Sequence, residues 1–334
     1  MHGLFDSMDE VAEKFAFLFP GQGSQSLGMG QLLAETYPAA AETFQEADSI
    51  LGFPLSDLCW HGPEEDLKDT INTQPALLTH SIAVLRVLRS QFPEITVSFT
   101  AGHSVGEFSA LVASGALRFQ DALQCVRERG RLMKEAGQQK PGGMTAVLGL
   151  ELQKVEEICQ EISSEPGKSI WVANDNCPGQ VVISGEIAGL AEASERLSAA
   201  GARKVIQLAV SIPSHCPLMT DAQKHFNQVL SETPIKDPDI PIIGNVSATF
   251  LHTAQEIKED LGSQLTSPVR WTQSMHTLVS SGATHCFELG SGNVLSGLMR
   301  RIDRSIPTIS ISTTTDLVSL SSMVTPSELE KHDA

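Results

Sequence analysis

Residues 95–117 run from an apolar stretch through Gly102-His103-Ser104-Val105-Gly106 into a second, mostly apolar stretch. A G-x-S-x-G turn with a strand before it and a helix after it leaves few folds open. Residues 95–101 read as that strand and 105–117 as that helix. The serine then sits on a strained corner, with glycines beside it because a Cβ there would collide with neighbouring backbone. The same corner aims the N-terminus of the helix at the serine Oγ, where backbone N–H groups can hold an oxyanion. Strand, glycine turn and helix in that order predict an α/β architecture with at least part of the sheet parallel. A five-residue pattern also recurs by chance as an inert Gly-Ser turn, but here both flanking elements stand where the elbow needs them.

The rest of the chain extends this reading. Residues 15–20 (FAFLFP) form a short apolar run stopped by Pro20 and Gly21, a buried strand entering a glycine turn. Residues 75–90 carry apolar side chains at helical spacing, with Pro75 expected in the first turn. After about residue 140 the texture changes: strand 144–150, helix 152–162, strands 170–173 and 180–184, helix 187–200, strand 204–210. That is β-α-β-β-α-β, the split order of a ferredoxin-like module. The expected fold is a large α/β-hydrolase-like domain with a parallel-sheet core and an inserted, smaller ferredoxin-like βαββαβ subdomain. The large domain would take residues 15–140 and 208–313, with strands at 241–245 and 285–289, and the subdomain 141–207. Residues 1–14 read as an extension and 314–334 as a polar, loosely attached tail.

Charge narrows the function classes. The 334 residues carry 23 basic and 40 acidic side chains, a formal net charge of −17. That balance argues against nucleic acid or an anionic membrane as the main partner. No stretch approaches the roughly 18 apolar residues of a bilayer span, and the acidic N-terminus has neither an apolar signal core nor an Arg-rich face. Six scattered cysteines without a C-x-x-C pair suit reduced thiols in the cytoplasm rather than a disulfide framework or a zinc site. Two phosphate motifs also fail. In Pro20-Gly21-Gln22-Gly23-Ser24-Gln25 the third glycine of a dinucleotide fingerprint falls on Ser26, and before Gly167-Lys168-Ser169 the first P-loop glycine is Ile162.

A serine nucleophile needs a base. His215 lies in the proline-bracketed loop Ser211-Ile212-Pro213-Ser214-His215-Cys216-Pro217, where an imidazole can be held rigidly. Any of the ten histidines could serve on residue type alone, although His103, beside the serine on the turn, would point away from its Oγ. Arg127, Arg129, Arg131 and Lys134 form a basic cluster. At about 100° per residue Arg127, Arg131 and Lys134 share one helix face and Arg129 points elsewhere. Such runs are usually solvated faces; an arginine turned inward would need an anionic partner.

Taken in order, FPGQGSQ (19–25), NTQPALL (72–78), AGHSVGEFSAL (101–111), RGRLM (129–133), PGQVVISG (178–185), VSIPSHCPLM (210–219), SPVRW (267–271) and ELGSGNVLSGL (288–298) resemble the malonyl-CoA:acyl carrier protein transacylase family over residues 15–311. The resemblance implies a ping-pong enzyme in which Ser104 is the nucleophile and His215 its base. A backbone carbonyl matching Gln264 would orient the histidine, and N–H groups of Gln22 and Val105 would form the oxyanion hole. Arg129 matches the clamp for the malonyl carboxylate, and Asn176 a residue near the pantetheine path. Ser214 and the aliphatic Val105 fall where acyl choice is made. The implied partners are malonyl-CoA, a substrate rather than a cofactor, and acyl carrier protein. A monomer is the default expectation.

Three rival readings share features of this pattern. An editing acyl hydrolase of the same fold would not need Arg129. A patatin-like Ser-Asp hydrolase would need a later Asp-Gly, which does not occur. A dead-site docking module would not need Ser104, His215, Arg129 and Gln264 together. For carrier docking, a basic rim of Arg127, Arg131, Lys134, Arg203 and Lys204 is expected.

Overall fold

The computed structural model describes residues 14–324, so the expected extension at 1–14 and the end of the tail fall almost wholly outside the described residues. Among the described residues ten strands form two sheets: β1 (Phe15–Phe19), β2 (Phe99–Gly102), β7 (Ile242–Ile243), β8 (Phe250–Leu251), β9 (His285–Leu289) and β10 (Thr308–Ile311) in one, and β3 (Gly142–Leu148), β4 (Ile170–Cys177), β5 (Gln180–Glu186) and β6 (Lys204–Gln207) in the other. The larger sheet has the order β10-β9-β1-β2-β7-β8, parallel except for the antiparallel edge pair β7–β8. β1 shows why it is central. Phe17 and Phe19 face one buried cluster while Ala16 and Leu18 face another, so both sides of the sheet are covered, as a parallel sheet requires.

The smaller sheet is antiparallel, in the order β4-β5-β3-β6. With helices Leu152–Ser163 and Ile187–Ala199 packed over a core of Val155, Ile158, Ile183 and Leu190, it is the expected βαββαβ unit. Val269 ties it to the larger unit: its N–H donates to Ala173 at 2.9 Å and its carbonyl accepts from Asp175 N–H at 2.9 Å.

Three expectations are corrected. β2 begins at Phe99 rather than 95, because the chain turns first, with Ile95 N–H donating to the Phe92 carbonyl. Pro75 is not in a first turn. The helix runs Thr70–Gln91 from an Asp69 cap, which leaves the proline inside it. A proline there withholds the N–H that would bond the Ile71 carbonyl four residues back. Arg127 Nη1 donates to that carbonyl at 2.7 Å instead. Finally, the segment after 313 opens with a helix, Thr314–Val324, whose Leu317 and Leu320 are buried in the main core rather than loosely attached.

Candidate active site

Ser104 stands between β2 and helix Gly106–Ala113 with φ at 53°, in the left-handed region that a side chain enters only when the surroundings impose it. The surroundings are visible. A Cβ on Gly106 would come within 2.2 Å of the Phe19 carbonyl, so the helix start is pressed against the end of β1. Gly21 is needed for the same reason, since its Cβ would meet the His103 carbonyl at 2.5 Å. Asn245, just after β7, closes the corner: its Oδ1 accepts from Ser104 N–H and its Nδ2 donates to the Gly102 carbonyl, both at 2.7 Å.

Ser104 Oγ lies 2.8 Å from His215 Nε2, and His215 Nδ1 lies 2.9 Å from the Gln264 carbonyl. A carbonyl can only accept, so Nδ1 carries the proton and Nε2 presents its lone pair to the serine. His215 too has a positive φ, 59°, held between Pro213 and Pro217. Burial, then the charge of Arg129, pushes its imidazole down to about 3, against the upward pull of the Gln264 carbonyl. The ring is therefore neutral at neutral pH and able to take a proton.

Arg129, on helix Phe119–Gln139, is only 1% exposed. It does turn away from its neighbours in the basic cluster. Nη1 donates to Gln74 Oε1 at 2.8 Å, and Nη2 donates to Gln264 Oε1 at 2.7 Å and to Ser104 Oγ at 3.2 Å. No carboxylate touches it among the described residues, and Nε has no partner. Burial lowers the guanidinium to about 10, which leaves it charged at neutral pH. A buried cation held only by neutral acceptors beside a nucleophile can accept an anionic group.

The other expected residues fall close by. Val105 is buried, and among the described residues no backbone hydrogen bond uses the N–H of Val105 or Gln22, whereas Gly106 and Glu107 donate back to His103 and Ser104. The Gln22 side chain accepts from Thr70 Oγ1 at 2.9 Å. Asn176 Oδ1 is paired with His103 Nε2 at 2.8 Å, which draws the His103 ring away from the serine Oγ. Ser214 is buried next to His215. A cleft of about 530 Å3 opens beside His215, lined by Gln160, Trp171 and Val172 of the smaller unit and by Thr266 and Arg270 of the larger.

The basic rim fares differently. Arg131 pairs with Glu128 and Glu135, Lys134 with Asp69, and Arg127 lies over the Phe53 ring while holding Ile71. Arg203 and Lys204 are exposed at the start of β6. Sequence reasoning also missed Asn245, Gln74 and Glu107. For Glu107 a signal existed, since a lone acid inside the apolar helix GEFSALVA asks for a buried partner.

A strained nucleophile, a carbonyl-oriented histidine and a buried cation on a parallel α/β scaffold define an acyl-transferring enzyme. The chain belongs to the acyl transferase domain family, whose pattern matches residues 16–295. It is 48% identical over 299 residues to the malonyl CoA-acyl carrier protein transacylase of Bacillus subtilis, covering 90% of this chain and 93% of that one. The enzyme of the same name from Haemophilus influenzae is 42% identical over 300 residues, covering 90% and 96%. Among solved structures, the malonyl CoA-acyl carrier protein transacylase of Coxiella burnetii superposes with a TM-score of 0.90 at 38% identity, covering 95% of this chain and 99% of that one. A malonyl-transacylase in complex with its type II PKS acyl-carrier protein gives 0.89 at 39% identity, covering 92% and 98%.

Proposed function

We propose that this protein transfers a malonyl group from malonyl-CoA to the phosphopantetheine thiol of an acyl carrier protein. In the first half, Ser104 Oγ attacks the thioester carbonyl while His215 Nε2 takes its proton. The N–H groups of Gln22 and Val105 hold the oxyanion, and His215 returns the proton as coenzyme A leaves as a thiol. In the second half the carrier thiol gives its proton to His215 and attacks the malonyl-serine ester, regenerating Ser104. Gln264 orients the base through its carbonyl. Asn176 and Ser214 border the path of the acyl chain and its arm. The cycle uses side chains and backbone groups alone, with malonyl-CoA as substrate and no cofactor.

The observation that carries this reading is Arg129: a fully buried guanidinium, 3.2 Å from the nucleophile and touched by no carboxylate among the described residues. An acyl group bearing its own carboxylate supplies that partner; an acetyl group does not. This favours malonyl transfer over the editing hydrolase. Since Ser104, His215, Gln264 and Arg129 all come from one chain, a monomer suffices. Six buried, unpaired cysteines support a cytoplasmic setting.

Intact-mass spectrometry after mixing with malonyl-CoA, acetyl-CoA or methylmalonyl-CoA tests the proposal. A malonyl adduct that needs Ser104 and passes to a holo carrier protein is expected. No adduct, or one lost to water whatever the acyl group, would refute it.

A further inference from the structure

Glu107 is completely buried one turn along from the nucleophile, and the reaction scheme above gives it no task. Its Oε2 accepts from Gln264 Nε2 at 2.5 Å, while its Oε1 has no hydrogen-bond partner among the described residues. The same Gln264 nitrogen also donates to the Ser104 carbonyl at 3.1 Å, and the Gln264 oxygen accepts from Arg129 Nη2 at 2.7 Å. A carboxamide has nearly the same shape with its ends exchanged, so its neighbours decide which end faces where. Here two acceptors on the nitrogen side, Glu107 and the Ser104 carbonyl, keep the oxygen toward the guanidinium. Were the amide reversed, its N–H groups would face those of Arg129 and push the guanidinium away from Ser104.

We propose that Glu107 is a positioning residue that sets the preference for carboxylated acyl groups, acting on Arg129 through the Gln264 carboxamide. The proposal rests on the transfer reading given above. The charge balance fits it. Burial and the neighbouring Asp260 push the Glu107 carboxyl well above its usual range, outweighing the pull of Gln264 and Arg129. Asp260 is itself fixed there, accepting from Val246 N–H at 3.2 Å and Ser247 N–H at 2.9 Å. Glu107 holds the amide without itself touching Arg129, so among the described residues it leaves the guanidinium without a carboxylate contact.

The test compares malonyl-CoA with acetyl-CoA as acyl donors to Ser104 in three forms of the full-length protein. Glu107→Asp shortens the side chain by one carbon and loses contact with Gln264; Glu107→Gln keeps an acceptor of the same reach. For Glu107→Asp the malonyl-to-acetyl ratio of kcat/KM is expected to fall by about tenfold or more, the worth of one misaligned charge-assisted hydrogen bond. Acetyl loading and labelling of Ser104 by an uncharged fluorophosphonate should stay within about threefold, and Glu107→Gln should keep the ratio. Should the aspartate variant not fold, Glu107→Met fills the space without an acceptor and carries the same comparison. An unchanged ratio in the acceptor-free form overturns the proposal. So does a parallel fall in malonyl loading, acetyl loading and labelling, which would mark Glu107 as part of the elbow's framework only. A wild-type protein that loads both donors equally would overturn the transfer reading itself, and this proposal with it.

Discussion

Replacing Arg129 by methionine separates the clamp from the rest of the chemistry. Methionine fills much of the volume without a charge or a donor. In the free protein the guanidinium is bonded to Gln74 and Gln264, both neutral acceptors. A substrate carboxylate replaces at least one of them with an ion pair in a site closed to water. Breaking a buried pair by deleting one partner costs about 3–5 kcal/mol. The neutral acceptors already present recover part of what a carboxylate would give, so the lower end applies. About 3 kcal/mol corresponds to a loss on the order of 10^2-fold in kcat/KM for malonyl-CoA. Acetyl-CoA, with no carboxylate to lose, should fall by only a few fold. Stopped-flow loading of Ser104 from each donor, followed by intact mass, measures both. A malonyl loss under about tenfold, or an equal loss for acetyl, would refute the view of Arg129 as an unpaired cation waiting for an anion.

Other perturbations read other parts of the structure. Arg129 lowers the basicity of His215, so removing its charge should move the acid limb of acetyl loading to higher pH, seen in a pH–rate profile; a downward or absent shift contradicts the electrostatic cause. Burial depresses buried His80 from 6.5 to about 4. Below pH 6.5 the unfolded chain takes up a proton that the folded one refuses, so stability falls as pH drops from 6.5 to 4, by about 3 kcal/mol in total. Urea titrations of the wild type and His80→Gln should show that this slope is smaller in the variant. Arg127→Ala strips the Ile71 carbonyl of its donor and should cost about 1–3 kcal/mol in the same assay. By contrast, Arg203→Glu with Lys204→Glu should leave stability within about 0.5 kcal/mol and slow transfer to an acidic carrier protein at low salt. An unchanged salt dependence would remove those two residues from the docking rim.

Much of the frame was legible from periodicity and turn chemistry. β1, the split βαββαβ order and the elbow each follow from short-range pattern, because an apolar run or a glycine pair has few places to go. Ser104 belongs to that class. His215 and Arg129 do not: their contacts with Ser104 span 111 and 25 residues, and residue types alone left ten histidines open. The family resemblance selected them, and the geometry shows why they meet. What stayed hidden is of a third kind. Pro75 looked like a helix start because the Arg127 side chain that satisfies its missing bond comes from another helix. Asn245 holds the elbow through Ser104 and Gly102, and Gln74 holds the Arg129 guanidinium 55 residues away, so no local rule marks either role. The helix at 314–324 misled for a related reason. Its threonines and serines read as a polar tail, but Leu317 and Leu320 are buried in the main core.

Gln264 steers the base with its main chain and the cation with its side chain. Truncating the residue removes only one of these, so an alanine scan would record a selectivity mutant and pass over the part that serves every substrate. The two functions can also diverge at different speeds. Acyl preference is open to point substitution at this position, whereas the aim of His215 changes only when helix Ala254–Gln264 itself moves. An enzyme wired this way can be retuned toward other acyl groups without first disarming its chemistry.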